Sequence, residues 1–341
     1  MRLKIPMPLS FILGQQKKLH KKILKAIPSL PLVAPARPVR PRKPRAVRAR
    51  LQEVTGFGTN PGHLRMLEYV PPKAGKGAPL VVVLHGCLQS ADDFDKGSGW
   101  SALARDGGFV LLYPEQRKSN NPNLCFNWFR PSAVARDRGE LMSVRQMIDN
   151  ACARHHVDKK RIYVQGLSAG GAMASALLAT YPELFAAGQI VAGLPFGAAR
   201  DAMSALSVMN SGVNRSAREW GDLVRAVTPE VKTKPVISIW HGTADRVVSV
   251  ANARATLAQW LDVYGLDEAD GKAVTIKGQE AWVWHDAAGK PLIEFCLIDG
   301  LGHGLPIMSK RSATAKAGMP YMLEGAISAP THMNRTILAG R

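Results

Sequence analysis

Ser168 lies in the segment 166–170 (GLSAG), which fits the G-x-S-x-G pattern of a serine nucleophile. Residues 161–165 before it are typical of a buried strand, and residues 171–178 after it are typical of a helix. A strand, a sharp turn with serine and a helix form a nucleophile elbow, which lifts the serine hydroxyl clear of the backbone. We therefore predict that Ser168 is a nucleophile. The alternative is a glycine-rich loop that closes an ordinary crossover between strand and helix.

An activating acid and base are expected downstream, in the order Asp or Glu and then His. Asp245 follows a predicted strand at 235–240, at the carboxyl end where open α/β sheets place their chemistry. His303 lies in a glycine-flanked loop after a predicted strand at 292–298. We predict that His303 takes the Ser168 proton and that Asp245 holds the imidazole ring and stabilises its charged form.

Two other carboxylates and two other histidines compete for these roles. Asp299 and Asp286 are rival acids, although Asp299 has the position of a plain turn residue. His241 and His85 each end a predicted strand beside a glycine, so we interpret both as structural.

An oxyanion hole is predicted from the loop after the apolar run 80–84, where the sequence reads His85, Gly86, Cys87. In this architecture a backbone N–H from that loop joins the N–H of the residue after the nucleophile. We assign the N–H groups of Cys87 and Ala169. The alternative is a tight turn with no donor aimed at the substrate.

Seven segments in order resemble the esterase/polyhydroxybutyrate (PHB) depolymerase family of α/β-hydrolases, over about residues 51–341. They are 54–58 (VTGFG), 84–87 (LHGC), 113–116 (YPEQ), 125–129 (CFNWF), 166–171 (GLSAGG), 240–245 (WHGTAD) and 302–304 (GHG). The resemblance implies serine ester hydrolysis with Ser168, Asp245 and His303 as the triad, without metal or cofactor. Within the motif 125–129, Trp128 is either a substrate-facing aromatic or a tryptophan of the core or rim.

Members of this family include short-chain polyhydroxyalkanoate depolymerases and esterases that remove acetyl or feruloyl groups from plant polysaccharides. We expect a short-chain hydroxyalkanoate polyester, or its oligomers, as the substrate. A polysaccharide side-chain esterase is the alternative within the fold. An alternative of another class is a surface- or granule-binding protein with an idle site. The presence of Ser, Asp and His together argues against this alternative.

The chain has four cysteines, too few for a disulfide scaffold. Cys87 and Cys125 both fall in family motifs near the predicted site, so they are the candidates for a disulfide bridge. Cys152 and Cys296 are predicted to be buried free thiols.

Charge divides the chain into two parts. Residues 1–50 hold 14 Lys or Arg and no Asp or Glu, so they account for +14 of the net charge of +19. Closely spaced prolines in 28–50 favour an extended, solvated linker. We predict a disordered extension over 1–50 and a catalytic domain over 51–341. The alternative for the extension is an anchor to an anionic surface or granule; no nucleic-acid partner is predicted.

Targeting signals are weak. No run reaches the roughly 18 apolar residues of a transmembrane helix. Prolines interrupt the short apolar stretch at the start, so no convincing signal peptide is predicted. Many members of the family are nevertheless secreted, so the compartment stays open between the extracellular region and the cytoplasm.

The elements that position these residues predict an α/β-hydrolase fold with a mostly parallel central sheet flanked by helices. A hairpin is predicted from 51–55 and 64–70. Further strands are predicted near 80–84, 109–113, 161–165, 188–192, 235–240 and 292–298, and helices near 98–106, 139–155, 171–180 and 250–264. Residues 200–230 interrupt this alternation and are predicted either to cap the site or to form a surface helical pair packed on the sheet.

Overall fold

The computed structural model describes residues 51–230, 232–308 and 319–338. The predicted extension over residues 1–50 lies outside the described residues. The strands are β1 Gln52–Val54, β2 Arg65–Tyr69, β3 Leu80–Leu84, β4 Val110–Glu115, β5 Ile162–Leu167, β6 Ala187–Val191, β7 Val236–Gly242, β8 Lys272–Ile276, β9 Gln279–His285, β10 Pro291–Ile298, β11 Leu305–Ile307 and β12 Met322–Glu324. The helices are α1 Ala91–Ser98, α2 Trp100–Gly107, α3 Gly139–His155, α4 Ala169–Thr180, α5 Ala202–Ser211, α6 Ala217–Arg225, α7 Ala251–Tyr264 and α8 Ala329–Met333.

Ten strands of the described part form one sheet in the order β1-β2-β4-β3-β5-β6-β7-β10-β9-β8. Its centre, from β4 to β10, is parallel, because crossover helices return the chain to the same end of the sheet after each strand. Antiparallel pairs extend it at both edges, with β1 and β2 on one side and β9 and β8 on the other. The predicted mostly parallel sheet flanked by helices is confirmed.

Strand β3 shows why the centre of the sheet is apolar on both faces. Successive side chains of a strand point to opposite faces. Leu80, Val82 and Leu84 therefore join one buried cluster with α3, α4 and α7, whereas Val81 and Val83 join a second with α1, α2 and α8. A sheet covered by helices on both faces leaves only its strand ends and loops for chemistry.

The segment 200–230 forms helices α5 and α6. Trp220 of α6 is buried, and Arg225 pairs with Asp262 of α7 at 2.5 Å. The end of α5 is tied to the chain after β7, because Ser249 N donates to Met209 O at 2.7 Å. Whether these helices act as a cap stays a prediction.

None of the helices in the described part of the chain has the length and apolar character needed to cross a membrane.

Candidate active site

Ser168 occupies the turn between β5 and α4. Its backbone has φ +56° and ψ −118°, an unfavourable conformation for a residue with a side chain. A Cβ atom on Gly166 would overlap the Gly170 carbonyl, and one on Gly170 would overlap the Leu84 carbonyl. Ser168 N donates to Val191 O at 2.9 Å, which fixes the turn to β6. The two glycines therefore allow the close approach of strand and helix that this turn requires.

His303 lies in the loop between β10 and β11 and contacts both Ser168 and Asp245. Its Nε2 is 2.9 Å from Ser168 Oγ, and its Nδ1 is 2.7 Å from Asp245 Oδ2. An ionised carboxylate only accepts hydrogen bonds, so Nδ1 carries the proton and the Nε2 lone pair faces the serine hydroxyl. The ring is thus arranged to accept a proton from Ser168.

Asp245, in the loop after β7, has a fully buried side chain. Its Oδ1 accepts hydrogen bonds from Val247 N at 2.8 Å and Val248 N at 2.9 Å. Burial by itself would raise the pKa of this carboxyl group, but hydrogen bonds from His241 and His303 outweigh it and hold the pKa well below its ordinary value. Asp245 is therefore a carboxylate whenever His303 acts as a base.

The sequence did not predict that His241 contacts Asp245. Its Nε2 lies 2.8 Å from Val248 O and 3.3 Å from Asp245 Oδ2. Because the carbonyl only accepts, Nε2 carries the proton, and it also points at the carboxylate. The interpretation of His241 as structural missed that it contacts the acid, four residues further along the chain.

The rival carboxylates are engaged elsewhere. Asp299 accepts from Thr243 Oγ1 at 3.1 Å, in an exposed position. Asp286 accepts from Ala288 N and Lys290 N and closes the turn between β9 and β10. In the structure, the carboxylate that contacts His303 is Asp245 and not Asp299 or Asp286.

The loop after β3 brings the predicted oxyanion donor beside the nucleophile. A Cβ atom on Gly86 would lie 3.6 Å from Ser168 Cβ. His85 Nδ1 donates to Gly86 O at 2.8 Å, and His85 Nε2 accepts from Gln116 N at 3.1 Å. Burial lowers the pKa of His85, in keeping with a neutral ring that donates from one nitrogen and accepts at the other.

The two predicted donor groups are not used elsewhere in the described part of the chain. Among the described residues, neither Cys87 N–H nor Ala169 N–H donates to a protein acceptor. A trans peptide is planar, so the Cys87 N–H points away from the Gly86 carbonyl that His85 holds. Two unpaired amides next to Ser168 are what an oxyanion hole requires.

The structure joins Cys87 and Cys125 in a disulfide, whereas Cys152 and Cys296 are buried free thiols. Trp128 is only 8% exposed and belongs to the same apolar cluster as Ala169. Its ring meets Phe129 edge to face. A substrate-lining role for Trp128 stays a prediction.

Known proteins resemble this chain in sequence and in structure. A family model described as Esterase PHB depolymerase matches residues 64–282. Poly(3-hydroxyalkanoate) depolymerase C of Paucimonas lemoignei is 43% identical over 258 residues, covering 75% of this chain and 62% of the depolymerase. The chain thus spans less than two thirds of that relative's length. Feruloyl esterase B of Thermothelomyces thermophilus is 34% identical over 226 residues, 64% of this chain and 77% of the esterase.

Among solved structures, acetyl xylan esterase from Aspergillus awamori superimposes with a TM-score of 0.70 at 25% identity, over 78% of this chain and 98% of the esterase. The predicted α/β-hydrolase fold is confirmed by this likeness. The match to the family model and the two relatives confirm the predicted family: the chain belongs to the esterase PHB depolymerase family.

Proposed function

We propose that the chain hydrolyses carboxylic esters through an acyl-enzyme on Ser168. The observation that carries this proposal is the unbroken chain of hydrogen bonds from Ser168 Oγ through His303 to Asp245, at 2.9 and 2.7 Å. A serine hydroxyl is a weak nucleophile until a base takes its proton, and the base must be held in the correct tautomer. This arrangement meets both requirements.

The reaction follows from these positions. Ser168 Oγ attacks the ester carbonyl carbon while its proton moves to His303 Nε2. The Cys87 and Ala169 amides bind the oxyanion, and Asp245 stabilises the imidazolium. His303 then gives its proton to the departing alkoxide, leaving the acyl group on Ser168. His303 Nε2 then takes a proton from water, whose oxygen attacks the acyl carbon. The bond between the acyl carbon and Ser168 Oγ breaks, His303 returns the proton to Oγ, and the acid is released.

We further propose that the substrate is a short-chain polyhydroxyalkanoate or its oligomers. The 43% identity to a poly(3-hydroxyalkanoate) depolymerase supports this substrate. Two exposed apolar side chains on the loops of the site also favour it. Leu88 follows Cys87 and is 49% exposed, and Val247 follows Asp245 and is 39% exposed. Such side chains suit a polyester with alkyl branches better than a sugar chain, which presents hydroxyl groups.

Esterase action on polysaccharide side chains is the second candidate. It is favoured by the 34% identity to a feruloyl esterase and by the structural likeness to an acetyl xylan esterase. For residues 1–50, with their 14 basic residues, attachment of the domain over 51–341 to an anionic surface or granule is the alternative to a disordered extension.

A hydrolysis panel tests these proposals. Short p-nitrophenyl esters, poly(3-hydroxybutyrate) granules and its oligomers, acetylated xylan and feruloylated xylan are offered to the wild type and to Ser168→Ala. We expect turnover of the soluble esters and of the polyester, and its loss in the variant. Higher kcat/KM on either xylan ester than on hydroxybutyrate oligomers would replace the polyester with the polysaccharide substrate.

A matched pair of variants tests the apolar surface. Leu88→Ser should reduce the rate on granules more than the rate on p-nitrophenyl acetate. Val70 is the control, because it is 37% exposed but follows β2 at the end of the sheet opposite Ser168. Equal effects of Leu88→Ser and Val70→Ser would remove the structural support for an apolar substrate.

A further inference from the structure

Gln89 is a buried polar side chain that bridges two distant parts of the chain. Its Oε1 accepts from Gly86 N at 2.8 Å, and its Nε2 donates to Pro320 O at 3.0 Å, 231 residues away in sequence. One amide group therefore binds the loop of the proposed oxyanion hole and also the segment 319–324, which we name the C-terminal strap. A buried amide that satisfies two backbone groups at once is costly to remove, because both are left unpaired.

The C-terminal strap also lies against the proposed general base. The ring of Tyr321 meets the His303 ring edge to face, with 5.7 Å between centroids. Leu305 N donates to Tyr321 O at 2.7 Å, and β12 pairs with β11 immediately after. A Cβ atom on Gly304 would lie 2.6 Å from Tyr321 O, so the strap is in close contact with the residue that follows His303.

We propose that Gln89 is a positioning residue: through the C-terminal strap, it fixes the position of the Cys87 N–H relative to the general base His303. The inference rests on the proposed function. The Gln89 side chain binds the N–H of Gly86 and so holds the peptide plane before this residue, whereas the plane after it is held at Gly86 O by His85 Nδ1 at 2.8 Å and by Gln89 N at 3.4 Å. Glycine rotates freely at both torsions when such bonds are absent. Loss of the two Gln89 side-chain bonds frees the peptide plane before Gly86 and releases the C-terminal strap, so Gly86 can move and shift the Cys87 N–H relative to His303.

The expected kinetic signature follows from when the donor acts. The Cys87 amide contributes most when negative charge develops on the carbonyl oxygen, so its misalignment lowers kcat and leaves KM nearly unchanged. Complete removal of one oxyanion donor costs about 10²- to 10³-fold in kcat. A donor that is present but badly aimed should cost less, and we expect about 10- to 100-fold.

The experiment compares Gln89→Met, Gln89→Asn and a control, Gln259→Met, with p-nitrophenyl butyrate as the substrate. Methionine keeps the length of glutamine but binds neither backbone group. Asparagine keeps the amide but is too short to span Gly86 N and Pro320 O together, and it guards against a methionine variant that does not fold. Gln259 is also buried and also bridges two backbone segments, at Phe196 and Trp220, outside the site.

We expect kcat to fall about 10- to 100-fold in both Gln89 variants, with KM within about threefold of the wild type. Gln259→Met should lower the melting temperature but keep kcat. Folded Gln89 variants with kcat within twofold of the wild type would overturn the inference, as would a loss confined to KM. Full activity in Ser168→Ala would instead overturn the proposed function, so the two failures are distinguishable.

Discussion

Replacing Asp245 with Asn should abolish most of the activity by changing the tautomer of His303. In the wild type, Oδ1 accepts from Val247 N and Val248 N, and Oδ2 accepts from His303 Nδ1. The asparagine oxygen will take the Oδ1 position, because an NH₂ group there would lose two hydrogen bonds, each worth about 1 kcal/mol. The NH₂ group then faces His303 Nδ1 and requires a lone pair on that atom.

The ring proton consequently moves to Nε2, which faces Ser168 Oγ as a donor and accepts no proton. We expect a loss of about 10⁴ in kcat, or about 5 kcal/mol at 1.36 kcal/mol per tenfold. The assay is kcat and KM on p-nitrophenyl butyrate, with circular dichroism to verify folding. Asp299→Asn is the control, since Asp299 is exposed and bonded to Thr243, and it should stay within about threefold. An active Asp245→Asn, or a larger loss in Asp299→Asn, would refute this assignment of the acid.

Three further outcomes are expected. Replacing Cys87 and Cys125 together with Ala should lower the free energy of unfolding by about 3–4 kcal/mol in urea titrations, because the bridge closes a loop with a sequence separation of 38; an unchanged midpoint would contradict this. Burial by itself would raise the pKa of Glu294, but hydrogen bonds, led by the one from His332, hold this pKa below its ordinary value. The ionised Glu294 carboxylate therefore stabilises the fold above about pH 4.5, and this stabilisation is lost as the pH falls. Glu294→Gln should therefore lower the free energy of unfolding by about 1–3 kcal/mol at pH 7 and make that free energy depend less on pH in the acid range. A variant with the same acid slope as the wild type would contradict this role of Glu294. A chain starting at Leu51 should keep its rate on soluble esters while its co-sedimentation with acidic vesicles weakens, more at low salt than at high salt; lost soluble-ester activity would mean that the domain boundary is misplaced.

Local sequence patterns predicted the elements that position the site. The apolar runs 80–84 and 292–298 are strands in the structure, and the predicted helix 139–155 has the same bounds. These elements are recognisable because each is long or strongly apolar, and the glycine spacing around Ser168 marks a turn that few other sequences can adopt.

Elements and contacts without a local pattern were missed. Strand β8 is mostly exposed and carries no run of buried residues, so the hairpin of β8 and β9 could not be distinguished from a loop. The contact of Gln89 with Pro320 joins residues 231 positions apart. The contact between His241 and Asp245 depends on how the loop after β7 folds back on that strand. Periodicity reports which face of an element is buried, but it does not report which distant backbone group a polar side chain will meet.

The central claim is that Ser168 carries the acyl group, and covalent labelling tests it most directly. The wild type is treated with an ethyl p-nitrophenyl alkylphosphonate, digested with trypsin and analysed by mass spectrometry. We expect one adduct in the tryptic peptide 162–200, assigned by fragmentation to Ser168 rather than Ser175, together with loss of ester turnover. Ser168→Ala should take up no label and should lose about 10³-fold or more of the activity. A label on another residue, or a Ser168→Ala variant that keeps a tenth of the wild-type rate, would contradict the account.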